Sequence, residues 1–394
     1  MEYLKNREII ALLLCLSLII FPLDLETDAN RTTFQMALHR GYPVEEFTVT
    51  SSDGYILTIF RIPGGKNTPL SEALEEDRQP LILQHGLVCS SDNFLDNGDK
   101  APAYLFADAG YDVWLPNIRG NRYSQKHQKY TVKDKEFWDF TFEDFGVKDQ
   151  EAYFNFILKH TGYEKVAFIG HSQGTAQMFA ALTLQPEFYA KHLAAFIALG
   201  PVTKLDQAAT DLVKLAIQLK VIEVFELFKV HSVFPYNYKT NKLSADFCVL
   251  FPAVCNLGLS ISADALPEYD NQERLPIFLS HYPAGASRKD FEHILQLSEH
   301  AGFHRFRENK NDELIPYDFC KIPDIPIAVG VGAEDKMASV ADARWLKEQL
   351  EKCNRLNFYE EYENMGHLTF NLPVSTFQYI DDALQFLKTH YTRK

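Results

Sequence analysis

Gly170-His171-Ser172-Gln173-Gly174 reads G-x-S-x-G. The apolar run Val166–Ile169 leads into it and the helix-forming run Thr175–Leu184 leads out. A strand, one tight turn and a helix lift a serine hydroxyl clear of a sheet, where it can act as a nucleophile. Gly170 and Gly174 suit such an elbow, because chain and helix pass so closely that a β-carbon at either position would collide. A serine hydroxyl alone is a weak nucleophile; it needs a base, and the base needs an orienting acid. In this arrangement the acid follows the serine in sequence and the histidine comes last. Downstream, the apolar run Ile327–Val331 ends in Gly332-Ala333-Glu334-Asp335, and Asn357–Tyr362 ends in Glu363-Asn364-Met365-Gly366-His367. His367 is therefore the expected base and Asp335 the expected acid. Glu334 competes as a neighbour, while Asp324 and Asp342 are less well placed. The oxyanion of acyl transfer also needs donors. The amide of Gln173 is one, and the amide of Leu87, in the loop His85-Gly86-Leu87 after the run Leu81–Gln84, is the expected other. A flexible Gly86 would let that amide turn toward the site.

These residues need a scaffold. The chain has 394 residues, 46% hydrophobic and 23% charged, which excludes bulk disorder, collagen and coiled coil. Lys and Arg number 39 against 53 for Asp and Glu, a net charge of −14 that argues against nucleic acid or an anionic membrane as the main partner. Leu81–Gln84, Asp112–Leu115, Val166–Ile169, Ala194–Leu199, Ile327–Val331 and Asn357–Tyr362 read as buried strands. Helical patterns over Gly146–Leu158, Thr175–Leu184, Val340–Glu351 and Val374–Thr389 alternate with them. Such alternation predicts a mostly parallel sheet covered on both faces, with Ser172, Asp335 and His367 at one edge.

The alternation fails over 202–318, where no strand signal is read. Leu212, Leu215, Leu219, Ile222, Phe225 and Phe228 give a helical stretch with an unusually wide apolar face. Burial of that face against the core is the default expectation; exposure to apolar ligands is the other reading. The expected organisation is a leader over 1–25, a first core part over 26–201, an inserted helical cap and lid over 202–318, and a second core part over 319–394.

Lys5 and Arg7 precede the apolar run Ile9–Phe21, the pattern of a cleaved secretory signal rather than a membrane anchor. A spanning helix needs about 20 apolar residues, and no other stretch is long enough, so no transmembrane segment is expected in the mature chain. Cys15 would leave with the leader. Cys248 and Cys255 could close a small loop, and the odd remainder leaves at least one free thiol. No spacing suggests a metal site. Asn30-Arg31-Thr32 is a candidate glycosylation site at Asn30. Arg119, Arg122, Lys126 and His127 form a basic cluster, read as phosphate-binding or as a structural loop beside the site.

With these residues in hand, the chain resembles the acid lipase family. The motifs that carry the resemblance are LQHGL at Leu83–Leu87, PNIRGNRYS at Pro116–Ser124, FWDFTFEDFGVKD at Phe137–Asp149 and GHSQGT at Gly170–Thr175. YPAGAS at Tyr282–Ser287, GAEDKMA at Gly332–Ala338 and MGHLTF at Met365–Phe370 extend it, roughly from Gly41 to the C-terminus. The resemblance implies an α/β-hydrolase core with an inserted cap and lid. It implies hydrolysis of triacylglycerol or sterol esters, at a lipid–water interface, without a cofactor, in a secreted or lysosomal protein. Matched by motif, Ser172 is the nucleophile, Asp335 the acid, His367 the base, and Leu87 and Gln173 the oxyanion donors. A Cys248–Cys255 disulfide is implied in the same way, and the basic cluster becomes a structural loop. A carboxylesterase of small soluble esters and a non-catalytic lipid-binding protein remain the alternatives.

Overall fold

Near-continuous apolar runs become the inner strands of one sheet. The computed structural model describes residues 28–207, 211–375 and 378–391. The leader and Cys15 lie outside these residues. The strands are β1 (Glu45–Thr50), β2 (Tyr55–Ile62), β3 (Pro80–Gln84), β4 (Asp112–Pro116), β5 (Lys126–His127), β6 (Val166–His171), β7 (Leu193–Leu199), β8 (Ser232–Val233), β9 (Ala286–Ser287), β10 (Ile327–Gly332) and β11 (Phe358–Tyr362). Nine of them form a sheet in the order β1-β2-β4-β3-β6-β7-β10-β11, with β5 beside β2. The pairs β1–β2, β2–β4 and β2–β5 are antiparallel, and the rest of the sheet is parallel.

Every residue of β3, β4, β6, β7 and β10 is buried, as strands covered on both faces require. Successive side chains go to opposite layers. Ile82, Trp114 and Phe168 pack on one face with Tyr153 and Phe154 of the helix Gln150–Thr161 and Met178 of the helix Gln173–Leu184. Leu81, Leu83, Val113 and Ile169 pack on the other with Tyr104 of the helix Pro102–Asp108 and Leu387 of the helix Gln378–His390. The helix expected from Gly146 begins as a π turn, Phe145–Asp149, before the α-helix Gln150–Thr161. Of the helix expected from Val374, Val374 and Ser375 are not helical, and the described part runs Gln378–His390.

Register places the site. Gln84 pairs with Gly170, His171 with Leu199, Gly330 with Leu199 and Gly332 with Tyr362. The carboxyl ends of β3, β6, β7, β10 and β11 therefore finish level, and the loops after them share one rim. Between β7 and β10 the described chain contributes the helices Asp211–Gln218, Val221–Leu227, Tyr238–Leu250, Pro252–Ser262, Leu275–His281 and Arg288–Glu299. It also holds the short antiparallel pair β8–β9, which the sequence pattern did not signal. The expected burial of this segment's apolar face holds only in part: Phe225 packs against the cluster of Val88, Val233 and Ala286, while other apolar side chains stand out. Leu219, Leu227, Phe228, Leu243 and Leu257 are each at least 60% exposed. Two disulfides are present, Cys248–Cys255 and Cys320–Cys353, and Cys89 is a free thiol. The second ties the turn Phe319–Lys321 to the end of the helix Val340–Lys352 and had no sequence signal.

Candidate active site

Ser172 sits between β6 and the helix Gln173–Leu184 with φ 57° and ψ −127°, a backbone that a serine adopts only under constraint. The constraint is visible on both sides. The Ser172 amide donates to Leu199 O at 3.0 Å, and its carbonyl accepts from the Thr175 amide and hydroxyl at 2.8 and 2.7 Å. The glycines explain how closely the parts approach. A β-carbon on Gly174 would lie 2.5 Å from Gln84 O, and one on Gly170 would lie 2.7 Å from Gly174 O. Gly174→Ala should therefore push strand and helix apart, costing about 1–3 kcal/mol. Thermal unfolding should register that loss together with a fall in ester hydrolysis.

His367 and Asp335 come to the same rim. His367 Nδ1 lies 2.7 Å from Asp335 Oδ2, while Asp335 Oδ1 accepts from the amides of Met337 and Ala338 at 2.8 and 2.7 Å. The His367 and Asp335 side chains both flank Gly200, the residue after the Leu199 carbonyl that holds Ser172. Ser172 and His367 are 9% and 3% exposed. Among the described residues the Ser172 hydroxyl makes no hydrogen bond, so the contact with His367 is left to form around a substrate, as such bonds often do. Burial pushes the His367 imidazole down, but the charge and hydrogen bond of Asp335, with the charge of Asp264 added, outweigh it and leave the imidazole raised. Glu334 makes no bond to His367 among the described residues. Asp342 is held by Lys204 and Ser339, and Asp324 is exposed.

The main-chain amides of Leu87 and Gln173 donate to no protein group among the described residues. A buried amide left without a partner is what an incoming oxyanion needs. Gly86 serves a different purpose from the expected one. Its φ is not positive, but a β-carbon there would lie 2.8 Å from Ser172 Cβ and 3.1 Å from its Oγ. It is small so that the loop can lie against the serine.

Several groups at the rim carried no sequence signal. His171 Nε2 donates to His367 O at 3.0 Å and its Nδ1 accepts from Asn371 Nδ2 at 3.0 Å. Burial, and then the neighbouring His367, hold that imidazole well below its ordinary value, so it stays neutral. Gln173 Nε2 donates at 2.8 Å to Asp290 Oδ2 in the helix Arg288–Glu299, where burial pushes the carboxyl up to about 7. Asp264 accepts from the amides of His367 and Leu368 across more than a hundred residues of sequence. The basic cluster proves structural at its centre. Arg119 is buried between Asp149 and Asp53, and Arg122 pairs with Asp92 and lies over Tyr236. Asn30 is exposed, and its side-chain oxygen accepts from the Tyr238 hydroxyl. No group of His, Cys, Asp and Glu among the described residues has metal-binding geometry.

The sheet order, the level strand ends and the serine elbow define the class of α/β-hydrolases. The family model of the α/β-hydrolase fold matches residues 79–221, and that of a partial α/β-hydrolase lipase region matches 33–98. A bacterial membrane phospholipase A shares the fold with a TM-score of 0.51 at 15% identity, covering 100% of each chain. An esterase from Rhodococcus sp. ECU1013 does so with a TM-score of 0.50 at 16% identity, over 88% of this chain and 99% of its own. Sequence relatives are nearer. Gastric triacylglycerol lipase of Rattus norvegicus is 35% identical over 87% of this chain and 88% of its own. Lipase member K of Homo sapiens is 33% identical over 92% of each. A Crotalus adamanteus protein named "Putative lysosomal acid lipase/cholesteryl ester hydrolase" is 34% identical over 88% and 87%. The chain belongs to the acid lipase family of gastric and lysosomal type.

Proposed function

We propose that this protein is a serine ester hydrolase of neutral lipids, acting on triacylglycerol or sterol esters through Ser172, His367 and Asp335. Ser172 Oγ attacks the ester carbonyl carbon as its proton passes to His367 Nε2. The amides of Leu87 and Gln173 receive the oxyanion. Collapse breaks the carbon–oxygen bond, and the leaving alcohol takes the proton from His367. Water then attacks the acyl-serine with His367 as base, the fatty acid leaves, and the proton returns to Ser172. The observation that carries this reading is the buried His367–Asp335 bond at 2.7 Å, on the rim that also holds the strained Ser172.

The residues 202–318 act in this proposal as cap and lid. Phe225 and Val230 pack, with Leu87, against the cluster of Val88, Val233 and Ala286 beside the oxyanion loop. The exposed Leu227, Phe228, Leu243 and Leu257 give this segment an apolar outer face of the kind that meets a lipid surface. No single helix among the described residues is long and apolar enough to span a membrane. A secreted or lysosomal setting fits the two disulfides and the basic, then apolar, N-terminus.

A short-chain triacylglycerol assayed through its solubility limit tests the reading. The rate should rise abruptly once droplets form, and long-chain emulsions should be turned over. A curve that saturates below the limit, with no activity on emulsions, would move the assignment to a carboxylesterase of soluble esters.

A further inference from the structure

A cap element reaches under the histidine loop, and nothing in the mechanism above uses it. After the helix Pro252–Ser262 the chain runs against the loop that carries Asp335. Ala265 N donates to Glu334 O and Lys336 N to Ala263 O, both at 2.9 Å, so Asp264 stands opposite Asp335. From there the buried Asp264 carboxylate accepts from the amides of His367 and Leu368, the second at 3.1 Å through Oδ2. Gly366 has no side chain because a β-carbon would collide with this carboxylate. A second carboxyl completes the arrangement. Asp270 is buried beside Asp264, and its Oδ2 has no hydrogen-bond partner among the described residues. Asp270 Oδ1 accepts from Thr369 Oγ1 at 2.7 Å, and Thr369 Oγ1 accepts from Gly366 N at 2.9 Å. The amides of Gly366, His367 and Leu368 thus all end on this acid pair, directly or through Thr369.

We propose that Asp264 is a positioning residue for the reaction: it fixes the main chain of His367, and its charge sets how far into acid the enzyme works. The inference rests on the reading of His367 as the base. The groups that face Asp264 are Asp335, His367 and Asp270; those that face His367 are Asp335, Asp264 and His171; those that face Asp270 are Asp264, Thr369 and Glu268. Burial, then the charge of Asp335, push the Asp264 carboxyl up; burial, then the charge of Asp264, push Asp270 up further. The charge of Asp264 thus opposes ionisation of Asp270, and it is the Asp264 anion that acts on His367. That anion raises His367, and a raised base is lost to protonation sooner as pH falls. When acid neutralises Asp264, the extra attraction for the His367 proton goes with it.

The test is the pH profile of kcat/KM on a soluble ester, over about pH 4 to 10, for the full-length protein. Asp264→Asn keeps an acceptor for the two amides and removes the charge. Its acid limb should move at least about 0.5 pH unit lower, with kcat within about threefold. Asp264→Ala should lose about 10- to 100-fold in kcat with KM nearly unchanged, because the base is no longer held. Asp270→Asn keeps an acceptor for the Thr369 hydroxyl and should restore most of the activity lost in Asp270→Ala. An acid limb unmoved in Asp264→Asn, or an Asp270→Asn no more active than Asp270→Ala, overturns the inference, as does loss of thermal stability without the acid-limb shift. If one of these variants does not fold, the other decides. Labelling by a serine-directed phosphonate keeps the two levels apart. Labelling abolished by Ser172→Ala with the acid limb unmoved sinks the positioning role alone; labelling that survives Ser172→Ala sinks the triad and this inference together.

Discussion

Ser172→Ala should lower kcat on an emulsified ester by about 10⁶-fold, the loss seen when a triad nucleophile is removed. The protein should remain folded. Alanine has the same β-carbon as serine, the hydroxyl makes no hydrogen bond among the described residues, and the Ser172 main chain is held by Leu199 and Thr175. Only one oxygen is deleted from a position that is 9% exposed, so thermal unfolding should be unchanged within about 0.5 kcal/mol. Residual rate should not vanish entirely. The free amides of Leu87 and Gln173 still stabilise an oxyanion, and water positioned by His367 can attack in place of the serine, at about 10³–10⁴-fold over the uncatalysed reaction. What disappears altogether is the burst of acyl-enzyme before steady state. A variant that keeps both the burst and the rate would mean that another nucleophile carries the reaction.

This expectation was legible before any coordinates, because its parts are local. G-x-S-x-G between a strand and a helix is one contiguous segment; Asp335 stands just past an apolar run, and His367 just past Asn357–Tyr362, which forms the half-buried edge strand β11 rather than the buried strand expected. The inner strands were legible for a related reason: in a sheet covered on both faces, every position is apolar and the run stands out. Observed β3, β4, β6, β7, β10 and β11 match the expected runs within a residue or two at each end. The hairpin β1–β2 was not seen, since Glu45-Glu46-Phe47-Thr48-Val49-Thr50 alternates half-buried and exposed positions at the sheet edge and carries two charges. Asp264 was invisible for a different reason. Its role depends on hydrogen bonds to the main chain of His367, 103 residues away, and a main-chain donor leaves no mark on residue type. The Cys320–Cys353 disulfide spans 33 residues and likewise follows only from the packing of the helix that ends at Lys352. The wide apolar face after Val202 divides between the two sides: Phe225 packs inward against the Val88 cluster, while Leu219 and Phe228 are exposed. Periodicity shows that a helix has an apolar stripe; it cannot show whether the stripe meets the core or the outside.

Arg119→Ala should cost about 3–5 kcal/mol of folding stability. The side chain is 1% exposed, and its guanidinium is shared between two carboxylates. Nη2 lies 2.6 Å from Asp149 Oδ1 and Nε 3.0 Å from the same oxygen, while Nη1 lies 2.7 Å from Asp53 Oδ2. Its carbon stands 3.9 Å above the centre of the Tyr55 ring, a stacking that lysine cannot reproduce. Removal leaves Asp149, whose side chain is 0% exposed, as a buried charge without a cation. Burial already pushes the Asp149 carboxyl up, and Arg119 supplies the main opposing charge. Without it the folded-state value rises further above the unfolded one. A carboxyl raised in the folded state is tolerated below its unfolded value and becomes increasingly costly as pH climbs toward the folded value. The deficit of Arg119→Ala should therefore be greatest at neutral pH and shrink toward about pH 4, measured as the difference in denaturant midpoint from the native protein. Catalysis should suffer as well, by way of position. Asp149 directly precedes Gln150, whose Nε2 donates at 2.6 Å to Gln84 Oε1 at the end of β3, and β3 leads into the loop that presents the Leu87 amide. A deficit that stays constant from neutral to acid pH would show that lost packing on Tyr55, rather than an unpaired Asp149, accounts for the instability.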